Sequence, residues 1–374
     1  MTDPLEVSRE DLRAVYDPEM HLMMLRDSSR HRFYARCLLE HRTELEGKVA
    51  VDLGAGIGIL SALAVRFGRL KEVHAVEALP EVCRIIPRVL QRTLEEESAK
   101  VTVHCGFAEE VCDRPGWPGS GAALIVSEWL GIMALNEGMA RPLLRCRDSL
   151  CRASCRPRML PGLLRIWVQA ASPPGAKAMK CGPRAIPEEY LHGNPHLLLD
   201  LDLNTCSIED LFESPPKRFQ LSGGSDGSAS GLVGWFDLQC CREHEVILST
   251  SPSAPTTHWL QCWMPFQTPL GSAQVKALHV KIQLVPQSTG LPELCVLVTG
   301  ESKSDSHLAR FFLDRGLASY ETGTNETKPS KRRRRRRDIE AVYFPSDLQE
   351  LLTLAETAVN EGARTLLGAE GEVG

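Results

Sequence analysis

Apolar positions in residues 1–48, among them Leu22, Met24, Leu25, Phe33, Tyr34, Leu38 and Leu39, recur at helical spacing, so this stretch reads as mostly helical. The pattern then switches to short continuous apolar runs. Residues 49–53 (VAVDL) end in Gly54-Ala55-Gly56-Ile57-Gly58 and lead into the apolar stretch 59–67. That is a strand, a tight glycine turn and a helix. Further strands are expected at 73–76, closed by Glu77, at 101–105 and at 122–127, with a helix over 80–95. Runs this apolar suit strands covered on both faces and predict a parallel sheet of βα units. After about Met159, Pro, Gly and Ser become frequent and helical periodicity fades. Alternating segments at 164–168, 278–284 and 294–298 predict antiparallel strands of a second, β-rich module. From about Ser302 strand character is expected to end. The polar stretch 321–338 reads as disordered, and 348–363 as one amphipathic helix. The divisions are thus 1–48, 49–160, 161–301 and 302–374.

Composition changes this picture little. Of 374 residues, 43% are hydrophobic and 24% charged, as in ordinary globular proteins. No apolar run is long enough to span a bilayer, and the acidic, polar start is not a secretory signal. The thirteen cysteines are scattered without C-x-x-C pairs, so we expect mostly buried thiols in a reducing compartment and no metal site. Charge is more informative. Lys331 to Arg337 is a run of seven cations, and taking these from the net −5 leaves −12 on the rest. An acidic body suits a cationic substrate, while the basic run reads as a nuclear import signal or a weak RNA contact. The expected location is nucleus, cytoplasm or both.

The glycine turn carries chemistry. Glycines let backbone approach a ligand, and Glu77 ends the next strand, 25 residues after Asp52, where a carboxylate accepts hydrogen bonds from ribose hydroxyls. The third glycine of a dinucleotide fingerprint is absent, so the pyrophosphate it would seat is not expected. A nucleoside cofactor without phosphate, S-adenosylmethionine, fits instead. The fourth strand runs into Ser127-Glu128-Trp129-Leu130-Gly131, and Glu137 follows nine residues after Glu128. That offset suits two arms of a folded-back loop. Two carboxylates facing one pocket repel and need a cation between them, and a guanidinium offers a planar fork of donors to both.

Residues 52–58, Glu77, the two-glutamate loop and Thr257-His258-Trp259 resemble the protein arginine methyltransferases. So does His21-Leu22-Met23-Met24-Leu25-Arg26-Asp27 with Arg30 and Tyr34. The resemblance covers roughly 14–300. It implies a Rossmann-like S-adenosylmethionine-dependent methyltransferase sheet covered by the helical segment 1–48 and followed by a β-barrel-like substrate domain. It also implies roles for single residues. Arg30 pairs with the cofactor's carboxylate, His21, Asp52, Gly54 and Gly56 line its site, Glu77 holds the ribose and Glu109 lies near the adenine. Glu128 and Glu137 clamp the substrate guanidinium, and His258, supported by Asp27, relays the proton. Met24, Trp129, Met139 and Trp259 border the acceptor pocket, and with the Thr-His-Trp segment they favour asymmetric dimethylation. Expected substrates are arginine-rich proteins such as histone tails or RNA-binding proteins.

The sequence departs from the family at the amino-terminal Tyr-Phe-x-x-Tyr stretch, of which Tyr16 is what remains, and at Ile132 and Asn136 of the loop. The segment 172–210 is shorter than the family's helical dimerisation arm and rich in proline, which leaves a homo- or hetero-oligomer open. The alternative reading is a catalytically weak paralogue serving as a regulatory or structural subunit of an active enzyme. A small-molecule methyltransferase on the same sheet would need neither the glutamate loop nor the Thr-His-Trp segment.

Overall fold

The computed structural model describes residues 8–360 except 14–17, 95–98, 113, 115–116, 119–120, 152–155, 272–274, 276, 286–292, 302–305, 315–316, 322–348 and 351. Tyr16, the basic run 331–337 and the polar stretch around it lie outside the described residues.

Four helices open the chain: α1 (Arg9–Arg13), α2 (Pro18–Arg26), α3 (Ser28–Glu40) and α4 (Arg42–Leu45). The buried face of α3 includes Phe33, Tyr34 and Leu38, expected to set its helical period, together with Cys37, while the expected Leu39 is half-buried. A parallel sheet follows, built from β1 (Val49–Leu53), α5 (Ile59–Gly68), β2 (Glu72–Glu77), α6 (Pro80–Cys83), α7 (Ile86–Thr93), β3 (Lys100–Cys105), α8 (Ala108–Cys112), β4 (Leu124–Val126), α9 (Ala140–Leu150) and β5 (Arg158–Leu160). Its order is β3-β2-β1-β4-β5, with every pairing parallel. All five residues of β1 are buried, as a strand covered on both faces requires. The single helix expected over 80–95 is broken in two. Pro87 sits at the start of α7, where a residue without an N–H and with a fixed φ is tolerated only in a first turn. The strand expected at 122–127 is only three residues long, and its partner β5 has no counterpart among the expected strands. Three residues are too few to show a period.

The second part is antiparallel: β6 (Leu163–Ala171), β7 (Gly182–Arg184), β8 (Leu191–Asp202), α10 (Glu209–Phe212), β9 (Lys217–Phe219), β10 (Ser228–Cys241), β11 (His244–Ser249), β12 (Gln261–Gly271), β13 (Leu278–Val285), β14 (Glu293–Gly300), β15 (Ser306–Asp314) and β16 (Leu317–Glu321). One sheet runs β7-β12-β10-β6-β8 with β11 beside β10, and the other runs β16-β15-β14-β13-β9. Along β13 buried and half-buried residues alternate strictly, the mark of a sheet with one face packed. The expected loss of strand character at Ser302 is overturned. β15 pairs with β14 over 294–313, placing Phe311 and Leu313 in the core. Between 172 and 208 there are 3₁₀ turns and strands but no α-helix, so the family's helical arm is absent there.

A C-terminal helix covers 349–360 except Leu351. It buries Ala355, Ala358 and Val359 in the main core and pairs Glu350 with Arg26, Glu356 with Arg92 and Asn360 with Arg66. The expected amphipathic helix is therefore docked against α2, α5 and α7.

Gly58 tests the turn between β1 and α5. Its φ is +91°, and a Cβ there would meet Ile86 Cγ2 at 2.9 Å. Gly58→Ala should cost about 2 kcal/mol and lower the melting temperature by several degrees in calorimetry.

Candidate functional site

The strand order reverses between β1 and β4, and open parallel sheets bind ligands at the carboxyl ends of strands at such a point. A cavity of about 580 Å³ lies there. Its floor is the glycine turn, with Gly54 and Gly56 at φ +70° and +53°, conformations that side chains resist. A Cβ on Gly54 would stand 3.0 Å from Met139 Cε, so the missing side chain keeps the floor open. His21, Met24 and Arg30 line the cavity from α2 and α3, Glu77 from the end of β2, Glu109 from α8, and Glu128, Glu137 and Met139 from the loop between β4 and α9. Sequence reasoning did not find Leu12, Arg141, Arg145, Leu211, Phe212 or Leu284, which complete the wall. They come from α1, α9 and the second part of the chain, and only the tertiary fold brings them together. α1 is fastened there by Arg9 Nε donating to the Ala78 carbonyl at 3.0 Å and by Arg13 paired with Glu81 at 2.6 Å.

Glu77 closes β2 as expected. One oxygen accepts from the Gly56 N–H at 2.9 Å and the other from the Leu79 N–H at 2.8 Å. Burial pushes its carboxyl up to about 7 despite these bonds. Asp52 departs from the expectation. It is fully buried, accepts a hydrogen bond from Ser61 Oγ at 2.6 Å, and lies outside the cavity lining. Its side chain leaves β1 toward α5, so it supports the turn from below. Burial raises its carboxyl to about 6.

The two-glutamate loop folds back on itself. Gly131 and Ala134 exchange backbone hydrogen bonds of 3.1 and 2.9 Å, and Met133 and Ala134 take positive φ values of 50° and 71°. Gly131 packs so closely against Asn136 and Glu137 that a Cβ would lie 2.6 Å from Glu137 Cγ. This tight reversal turns the nine-residue offset into two carboxylates on one cavity. Glu128 accepts from the Leu130 N–H at 3.0 Å and from Arg30 Nη2 at 3.1 Å, with both members of the ion pair largely buried. Arg30, expected to meet a cofactor's carboxylate, thus also holds Glu128. Its Nη1 lies 3.2 Å from His31 Nε2, and its buried Nε–H has no partner.

Asp27 and His258 meet as expected. Asp27 Oδ2 accepts the His258 backbone N–H at 2.9 Å and lies 2.8 Å from His258 Nδ1, while Oδ1 caps α3 through the Arg30 N–H at 3.0 Å. Burial alone would raise the Asp27 carboxyl, but the bonds from His258 and Arg30 outweigh it and hold it at about 2. Neither residue lines the cavity wall. Trp129 and Trp259, expected at the acceptor pocket, are 1% and 6% exposed and also lie outside the lining. Trp259 Nε1 instead donates to the Leu130 carbonyl at 2.6 Å, so the Thr-His-Trp segment braces the glutamate loop from behind.

A carboxyl raised by burial favours the fold in its protonated form. Its stabilisation is complete below the unfolded-chain value of 4.5 and is lost as pH rises through about 7. Glu77→Gln should therefore remove a loss on the order of 3 kcal/mol between pH 5 and pH 8. Urea titrations at the two pH values should show wild type weakening relative to the variant at the higher pH.

Comparison with known proteins agrees with this geometry. Residues 177–299 match the family described as the arginine methyltransferase oligomerization subdomain. Probable protein arginine N-methyltransferase 3 of Arabidopsis thaliana is 28% identical over 292 residues, covering 69% of this chain and 48% of the relative. Protein arginine N-methyltransferase 6 of Danio rerio is 26% identical over 325 residues, covering 78% of this chain and 89% of its own length. The chain thus spans about half of the first relative and nearly nine tenths of the second. Among solved structures, the Trypanosoma brucei PRMT1 enzyme–prozyme heterotetrameric complex with AdoHcy overlays with a TM-score of 0.65 at 22% identity, covering 80% of this chain and 96% of that one. Arabidopsis thaliana protein arginine methyltransferase 10 overlays with a TM-score of 0.62 at 19% identity. On these matches the chain is similar to the protein arginine methyltransferases in sequence over most of its length and shares their fold.

Proposed function

We propose that the chain transfers methyl groups from S-adenosylmethionine to guanidino nitrogens of arginine residues in proteins. The observation that carries this reading is the convergence of Glu128 and Glu137 on the cavity that also holds the glycine turn, Glu77 and Arg30.

The residues present fit the cofactor. The volume is that of a small-molecule site. The unpartnered Arg30 Nε–H is a charged donor suited to a carboxylate tail. Each Glu77 oxygen has a further lone pair for ribose hydroxyls beyond the backbone bond it accepts. When bound, S-adenosylmethionine supplies an activated methyl on a sulfonium, so the protein needs no nucleophile of its own. The protein's work is to prepare the acceptor. A guanidinium is a poor nucleophile because its lone pairs are delocalised. Glu128 and Glu137 draw its positive charge to one side and aim one nitrogen, an electrostatic and orienting contribution. Arg30 and the Leu130 N–H hold Glu128 fixed in direction. His258, oriented by Asp27 behind the cavity wall, is the group to receive the proton after it has left the methylated nitrogen.

Met24 and Met139 on the cavity wall are flexible thioethers that let a monomethylated nitrogen turn for a second transfer, which favours asymmetric dimethylarginine as product. Arginine-rich tails such as those of histones or RNA-binding proteins match the acidic body in charge. The match to an oligomerization subdomain supports assembly with itself or a relative, although residues 172–208 carry no helical arm. Action in the nucleus, the cytoplasm or both, with residues 331–337 as import signal, completes the reading.

The test is transfer of labelled methyl to arginine-rich peptides. Glu137→Gln should lower kcat by about 100-fold or more while leaving the calorimetric affinity for S-adenosylhomocysteine unchanged. Equal activity of variant and wild type would overturn the role of the pair. Transfer that arises only when an active family member is added identifies the chain as a regulatory subunit, a reading favoured by the missing arm.

A further inference from the structure

Away from the cavity, the fold gathers a second group of reactive side chains. His41 follows α3 and starts α4, and Cys240 and Cys241 end β10. Adjacent residues of a regular strand point to opposite faces. Here the β10–β11 register shifts between Gln239 and Cys241, and the irregularity re-aims the side chains. A ring nitrogen of His41 and the two sulfurs lie within 4.8 Å of one another, and all three residues are buried. No other His, Cys, Asp or Glu group among the described residues has this arrangement.

The imidazole supplies an independent observation. His41 is 3% exposed, and its buried Nε2 has no hydrogen-bond partner. Its Nδ1 faces Glu44 Oε2 at 4.0 Å. With a carboxylate on the Nδ1 side, Nε2 is the ring nitrogen open to a ligand. Leaving a buried ring nitrogen unpaired costs about 1–3 kcal/mol, and with two thiols gathered on the same imidazole this points to a ligand that takes all three.

We propose that His41, Cys240 and Cys241 bind one soft divalent cation, zinc by its chemistry, and that this ion clasps the end of α3 to the β10–β11 hairpin. Two thiolates and an imidazole are ligands that Ca²⁺ and Mg²⁺ avoid and Zn²⁺ prefers. Tetrahedral zinc brings such ligand atoms to about 3.5 Å from one another, which the cluster reaches by small side-chain rotations. In doing so Cys240 Sγ gives up its contacts with Cys37, a 3.9 Å one to the carbonyl and one to the thiol, while keeping the His41 side that it already faces. The His244 ring packs edge-on against His41 with 5.1 Å between centroids, and a water takes the fourth position. Binding releases the two thiol protons to solvent, so the complex carries no net charge from its four ligands and ion. The clasp reaches the methyl-transfer site through α3, which bears Arg30 and is capped by Asp27.

The experiment uses the reduced full-length chain, loaded with Zn²⁺ or Co²⁺ and freed of excess by gel filtration. Expected are about one retained zinc per chain by plasma emission spectrometry, intense tetrahedral d–d bands with thiolate charge transfer in the Co²⁺ form, and a melting temperature that rises with Zn²⁺. Cys240→Ser/Cys241→Ser and His41→Ala should lose the charge-transfer band or weaken it severalfold, with circular dichroism checking that they fold. A Co²⁺ spectrum of the wild type without thiolate charge transfer, or metal retained equally by the double serine variant, would overturn the proposal. The wild-type spectrum decides the question even where a variant fails to fold.

Discussion

The site depends on a charge pair that is taken out of water: the guanidinium of Arg30 against the carboxylate of Glu128, 3.1 Å apart and each less than a tenth exposed. Such a pair contributes little net stability, because desolvating both ions offsets their attraction. Its value is in the cost of separation. Removing one partner strands the other as a buried charge, a loss of about 3–5 kcal/mol. The helix α3 and the loop after β4, nearly a hundred residues apart in sequence, are thereby obliged to stay together. Tyr34 adds to the constraint by donating to the Ser127 carbonyl at 3.0 Å, and Ser127 Oγ in turn donates to the Leu53 carbonyl at 2.6 Å. A line of hydrogen bonds thus runs from the covering helix through the loop to the end of β1.

Around this line the carboxylates are graded by surroundings. Asp27 is held low by the bonds it accepts, and Asp52 and Glu77 are held high by burial. Carboxylates therefore serve as a permanent anion beside His258, as a buried acceptor beneath the glycine turn at Asp52, and as a costly buried acceptor on the cavity wall at Glu77. The expense of Glu77 is the kind of local instability that proteins retain at sites where a ligand will satisfy the group.

Much of this was legible in the chain. β1, its glycine turn and α5 were readable because the apolar run is continuous and the turn needs residues tolerant of positive φ. The two glutamates were readable because a strand end fixes the first and a loop reversal the second. Three features were not. Pro87 breaks a helix whose apolar spacing continues across it. β15 carries alternating core positions Ala309, Phe311 and Leu313, but the apolar Leu308 and Phe312 between them blur the period. The inward placement expected of Asp52, Trp129 and Trp259 failed for a common reason. A residue next to a site in sequence supports it from behind whenever its side chain leaves the backbone on the far face. The meeting of His41 with the cysteines of β10 is purely tertiary, and no spacing in the sequence announces it.

The helix over 349–360 carries a consequence for how the molecule is assembled in time. It pairs with α2, α5 and α7, elements from the first quarter of the chain, so its side chains reach across more than 250 residues to find their partners. During synthesis those early elements must wait, with the surface that Ala355, Ala358 and Val359 will cover still bare, until residues 349–360 have emerged. The nascent chain therefore passes through a stage in which its cofactor sheet is formed but unsealed, when association with a folding helper or a sister chain would be most rewarded.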